Sequence, residues 1–210
     1  MNKLFEYFWL FIIGSFFGFL VETIWCFIKN KKIESRKGLI YGPFTPIYGI
    51  AAVFITLILD IFNPKKKINV FIFTFVIYLI VEYTSSFLQE KIFGTKSWDY
   101  KNFPLNINGR VNFIYILIFS FLGLFWAKLY PKILMYTYII LNYFDLYNFI
   151  SILLIIFVLY DIIISVIASY RQKLRRKGIK ANNKIEFWLD KKYNDEYLKK
   201  IYANAIFVQE

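Results

Sequence analysis

Five stretches of this chain are apolar over about 20 residues or more, near 4–28, 39–62, 70–93, 111–130 and 149–169. With a rise of about 1.5 Å per residue, a helix of that length crosses the hydrocarbon core of a bilayer. Lipid offers the backbone no hydrogen-bond partner, so a spanning segment is either a helix or a strand of a closed barrel. These runs are continuously apolar and do not alternate, which selects helices. The predicted fold class is an all-α membrane protein with about five transmembrane helices. The stretch 131–148 is also apolar, but Asn142, Asp145 and Asn148 interrupt it, and it reads as interfacial or re-entrant. A hydrophobic fraction of 59% supports the assignment, since soluble domains carry roughly 45–50% apolar residues.

Basic residues set the expected orientation. With the C-terminus inside, the inner segments 29–37, 91–110 and 171–180 carry five, four and six positive residues. The outer segments hold Lys3, Lys65, Lys66, Lys67, Lys128 and Lys132. The ratio predicts a multi-pass membrane protein, N-terminus outside and C-terminus inside. The first apolar run is too long for the core of a cleavable leader and is expected to be a true span. The transmembrane domain then covers 1–170. The tail, 171–210, opens with the basic run RQKLRRKGIK and continues with Ile185, Trp188, Leu189, Tyr193, Tyr197 and Ile201 at mixed spacings of three and four. That pattern predicts an amphipathic cytoplasmic helix. The positive-inside rule accounts for the formal charge of +12, so no nucleic-acid partner is expected; the expected partner is the lipid bilayer.

Several chemistries are excluded. The chain has no histidine, so imidazole bases, Ser-His triads and His-ligated metals are ruled out. Its one cysteine, Cys26, permits no intrachain disulfide. Gly94-Thr95-Lys96-Ser97 has the wrong order for a phosphate-binding loop and lacks the upstream glycine. No cofactor and no metal site are predicted, and ATP hydrolysis by this chain is not expected.

Charged side chains inside apolar runs are the main candidates for function, because an ionised carboxylate at mid-bilayer costs about 3 kcal/mol or more unless paired or wetted. Glu22 lies in the first run and Glu82 in the third, in matching Val-Glu contexts. Gly14, Gly18 and Glu22 follow at four-residue spacing, so they share one helix face and suit close helix contact. Tyr78, Glu82, Ser85, Ser86 and Gln89 form a polar stripe on the third run, which suits either a wetted groove or a hydrogen-bonded seam. Arg110 at the start of the fourth run is placed to pair with a carboxylate, or simply to snorkel. Asp99, between Trp98 and Tyr100, either caps the next segment or pairs with Arg110. Asp161, near the middle of the fifth run, is expected to face the bundle. Gly42, Pro43, Pro46 and Gly49 open the second run, and Pro46 is expected to loosen its first turn and expose carbonyls. Asn108 and Gly109 precede the fourth run. The first two runs look like a parallel copy of the next two, each pair re-entering through a Pro/Gly element, and internal repeats place transport sites at their interface.

Taken in order, Gly18 with Glu22, Gly42 to Gly49, Glu82-Tyr83-Thr84-Ser85-Ser86, Glu90 to Gly94, Trp98-Asp99-Tyr100 and Asn106 to Arg110 resemble the CmpB-like ABC-transporter permease family. The match runs from about Phe8 to Gly123 and extends more weakly to Ser169. Phe19 stands where the family usually has Trp. The resemblance implies a small multispanning permease subunit of the bacterial cytoplasmic membrane and supplies no catalytic residues.

Three functions fit these residues. In a permease or permease subunit, Glu22, Glu82 and Asp161 would bind a cation or amine or relay protons, and Arg110 would balance charge or hold an anionic group. An ABC permease would need a separate ATPase subunit, and the small size suggests a homo-oligomer. In a lipid- or isoprenoid-modifying enzyme, the carboxylates would act as acid and base. In a non-catalytic scaffold they would be helix glue. Transport ranks first of the three.

Overall fold

The computed structural model describes residues 3–208. Five long helices form the body: α1 (Lys3–Asn30), α2 (Pro46–Phe62), α3 (Lys67–Phe93), α4 (Phe113–Tyr143) and α5 (Tyr147–Arg176). The short helices α6 (Lys184–Lys192) and α7 (Asp195–Ile201) follow in the tail. The only strands among the described residues are two-residue pieces. β1 (Thr95–Lys96) pairs antiparallel with β4 (Ile206–Phe207), and β2 (Asn106–Ile107) with β3 (Val111–Asn112). The fold is all-α and membrane-type, as predicted.

By length and composition, α1, α3, α4 and α5 are able to cross a membrane, while α2 is a shorter apolar helix of 17 residues. The second apolar run is therefore helical only from Pro46. Pro46 sits in the first turn, where a missing N–H costs nothing, and no proline kinks the helix. Pro43 belongs to the non-helical stretch before it. Conversely, α4 runs through Pro131 to Tyr143, where an interfacial segment is expected from the sequence. Breaking a helix in lipid orphans several backbone groups, so losing the one bond at a proline is the cheaper outcome.

Helix pairing follows the small residues. α1 packs chiefly on α2, and α3 chiefly on α4. At the first contact a Cβ on Gly14 would lie 2.8 Å from that of Ala52, and one on Gly49 would collide with Ser15 and the Phe11 carbonyl. At the second, a Cβ on Gly123 would overlap Thr74. Ala51, Ile55, Leu59, Ile77 and Val81 fill the space between α2 and α3.

Alternation of the long helices brings 31–45, 94–112 and the tail to one end. There the Tyr41 and Tyr193 hydroxyls are 2.6 Å apart, the Lys173 ammonium donates to the Lys91 carbonyl, and the Val208 amide donates to the Gly94 carbonyl. The tail forms two short helices where the sequence suggests one, because the Asn194 side chain accepts from the Tyr197 amide and starts a new helix. Leu189, Tyr193 and Leu198 bury themselves against Ile40 and Ala168.

Candidate functional site

A cavity of about 720 Å³ lies between the helices and extends to the loop-bearing end. Glu22 of α1 and Glu82 of α3 both line it, as do Tyr78, Ser85, Gln89 and Asp99. The Gly14–Gly18–Glu22 face makes this possible. Gly18 has no room for a Cβ beside the Tyr48 ring, so α2 closes onto α1 and the Tyr48 hydroxyl reaches Glu22 Oε1 at 2.7 Å. Glu82 is 6% exposed, and its Oε2 has no hydrogen-bond partner among the described residues. Ser86, of the same polar stripe, is buried outside the cavity wall.

Aromatic rings make up much of the remaining wall. Phe119 of α4 stacks on Tyr78 with centroids 5.1 Å apart and meets Tyr48 edge-on at 5.9 Å. Tyr100 stacks on Tyr115 at 5.2 Å. Burial first, then the charge of Glu82, pushes the Tyr100 phenol well above its ordinary value, so it stays a neutral hydroxyl. Tyr48, Tyr78 and Tyr100 fall within motifs visible in the sequence, while Tyr115 and Phe119 lie on a helix with no polar pattern.

Arg110 lies outside the cavity wall. Its guanidinium is 2.7 Å from Glu90 and faces the rings of Tyr83 and Phe87, while its carbonyl accepts from the Trp98 indole. Lys96 joins the cluster, 3.4 Å from Glu90 and 3.7 Å from Asp99. Arg110 thus pairs with Glu90, not with Glu22, Glu82 or Asp99. Asp99 also accepts from the Lys101 amide and leaves no room for a side chain at Gly109. Asn108 and Gly109, both at positive φ, form the tight turn between β2 and β3.

Asp161 faces the bundle as expected but likewise misses the cavity. Fully buried, it accepts from the Tyr41 and Gly42 amides at 3.0 and 2.7 Å. It ties down the non-helical stretch 38–45, whose Leu39 and Phe44 pack between α1 and α5. Pro43 and Pro46 shape this stretch, and Pro46, Thr45 and Ile47 contribute to the cavity wall. From the tail, Tyr202, Asn204 and Ala205 reach the cavity as well, which nothing in the tail's sequence pattern indicates.

Three basic residues line the wall: Lys29 is exposed, while Arg36 and Lys37 have partners of their own. Arg36 donates to Cys26 Sγ and lies 3.5 Å from Glu34, and Lys37 donates to the Tyr41 carbonyl. Among the described residues no group of three or more Cys, Asp or Glu could hold a metal ion.

A family model described as "Putative ABC-transporter type IV" matches residues 9–166. No curated protein and no solved structure matches the chain.

Proposed function

The chain belongs to this ABC-transporter type IV family, and on that premise we propose that it is a permease or permease subunit whose intramembrane polar site is the cavity holding Glu22 and Glu82. The observation that carries the reading is the convergence of these two carboxylates, from separate helices, on one cavity. Each is expensive in a membrane, and an ionisable side chain that faces a cavity there is a candidate for meeting a solute or ion. The site lies between the α1–α2 and α3–α4 pairs, which fits a parallel two-helix repeat with its binding site at the interface. We place the protein in the cytoplasmic membrane, with the basic end inside. If ATP drives transport, a separate ATPase subunit supplies it, since the chain carries no phosphate-binding loop.

The test is flux into liposomes across a panel of solutes under proton and cation gradients, comparing the unmodified protein with the Glu22→Gln/Glu82→Gln double variant. The expected result is flux in the former and at least tenfold less in a folded variant. Equal flux in both would remove the carboxylates from the mechanism. Val21, Ile118 and Leu122 give the cavity an apolar flank, which favours one second reading, an enzyme acting on a lipid or isoprenoid. Lipid turnover without any gradient would support that reading against transport.

A further inference from the structure

The cavity has acid at its helix-lined wall and π faces around it. Glu82, buried and with an unpartnered oxygen, lines it from α3, and Glu22 from α1. Between and around them stand Tyr48, Tyr78, Phe119, Tyr100 and Tyr115, locked by stacking and edge contacts of 5.1 to 5.9 Å. The Tyr48 hydroxyl is spent on Glu22, which leaves its ring as its contribution to the cavity.

Each ligand class meets this wall differently. An inorganic or organic anion would face the carboxylates of Glu22, Glu82 and Asp99; of the three basic lining residues, Lys29 is exposed, Arg36 is engaged through Nη2 by Cys26 and Glu34, and Lys37 donates to the Tyr41 carbonyl. A bare divalent cation needs six or more oxygens around it, and among the described residues no group of three or more Cys, Asp or Glu could hold one. A neutral solute brings no charge to the buried, unpartnered Oε2 of Glu82 or to the Glu22 carboxyl beside it. An organic cation satisfies every feature: its charge meets the carboxylates, its methyl or methylene groups meet the rings, and the attraction of the ring faces adds to both. The volume, about 720 Å³, falls within the range of roughly 300–1,000 Å³ typical of small-molecule sites. We propose that the cavity formed by Glu22, Glu82 and the Tyr48–Tyr78–Phe119–Tyr100–Tyr115 rings binds an organic ammonium ion, a substituted or quaternary amine.

This assignment rests on the permease reading of the cavity, and the two are separable by experiment. Trp25 and Trp98 line the cavity, so their fluorescence reports its occupancy in detergent or nanodiscs. The probes are choline and tetramethylammonium, with 3,3-dimethylbutan-1-ol as the uncharged isostere of choline. Saturable binding of both cations is expected, at least tenfold tighter than that of the alcohol. Phe119→Leu should weaken the cations about 3- to 30-fold, the range of one lost cation–π contact, while leaving the alcohol within about threefold on apolar area alone. Glu82→Gln should weaken only the cations. Equal affinity for choline and the alcohol on the unmodified protein overturns the proposal, a comparison that needs no variant to fold. Flux of some other solute without ammonium binding also overturns it, while the permease reading stands. Ammonium binding with no flux in liposomes supports the ligand class and sinks an autonomous permease.

Discussion

Asp161 and Glu82 are two acids buried in the same bundle, and their surroundings give them opposite characters. Asp161 has both oxygens engaged, with the Tyr41 and Gly42 amides as donors. Glu82 has an oxygen with no hydrogen-bond partner among the described residues. Removing an acceptor that serves two buried amides leaves each donor unsatisfied, at about 1–3 kcal/mol apiece. Asp161→Ala is therefore expected to cost about 2–5 kcal/mol of stability and to release the 38–45 stretch. Glu82→Gln removes a buried carboxyl that lacks a full set of partners, so its thermal midpoint should stay level or rise while flux falls. Melting curves of the two variants in one detergent, beside their flux, decide the matter. A Glu82→Gln protein that melts well below the parent would make this carboxylate helix glue. The sequence alone keeps both acids as candidate site residues, with Glu82 set in a polar stripe; their hydrogen-bond partners, set by tertiary packing, tell them apart.

At the scale of elements, the apolar runs located the helices well, because in lipid the length and continuity of a run dictate the structure. Boundaries were legible only where the chain carries a local signal. Gly94 ends α3 at φ 64°, and Asn112 opens α4 by accepting from the Ile114 amide. The 38–45 stretch reads as part of a helix because Leu39, Ile40 and Phe44 are apolar, yet they are buried as loop residues secured by a remote aspartate. Asn108-Gly109 is a sequence signal for a tight turn, and it marks the hairpin that delays α4 to Phe113. The tail is held by charge. Arg171 and Arg175 grip Asp190 at 2.9 and 2.6 Å, and Arg175 also reaches Asp195. Burial alone would raise the Asp190 carboxyl, but the hydrogen bonds from the two arginines outweigh it and hold the group below its ordinary value. A carboxyl lowered in the folded state contributes stability in full above about pH 4, and that stability is lost as pH falls through the lowered value. Hydrogen exchange of the Leu189 and Leu198 amides, corrected for intrinsic rates, should show constant protection from pH 8 to 5 and a loss only below about pH 4. Protection that drops between pH 7 and 5 would mean that another group controls docking.

For the whole molecule, the arrangement of charge and the position of the cavity are one question. The three inner-predicted segments, 29–37, 91–110 and 171–180, come together at one end of the bundle, and the Lys65–Lys66–Lys67 turn lies at the other. At the basic end Trp98, Asp99 and Asn204 also line the cavity, so the orientation fixes which compartment its loop-lined side meets. A cluster of positive charge resists translocation and is attracted to the anionic inner leaflet, so that side should face the cytoplasm. Cys26 is the one native thiol and is buried, which makes a clean background of a Cys26→Ser chain carrying Lys66→Cys or Lys180→Cys. A membrane-impermeant maleimide should label position 66 in intact cells and position 180 only after the membrane is opened. The reverse pattern would turn the protein over and place the loop-lined side of the carboxylate cavity toward the outer compartment.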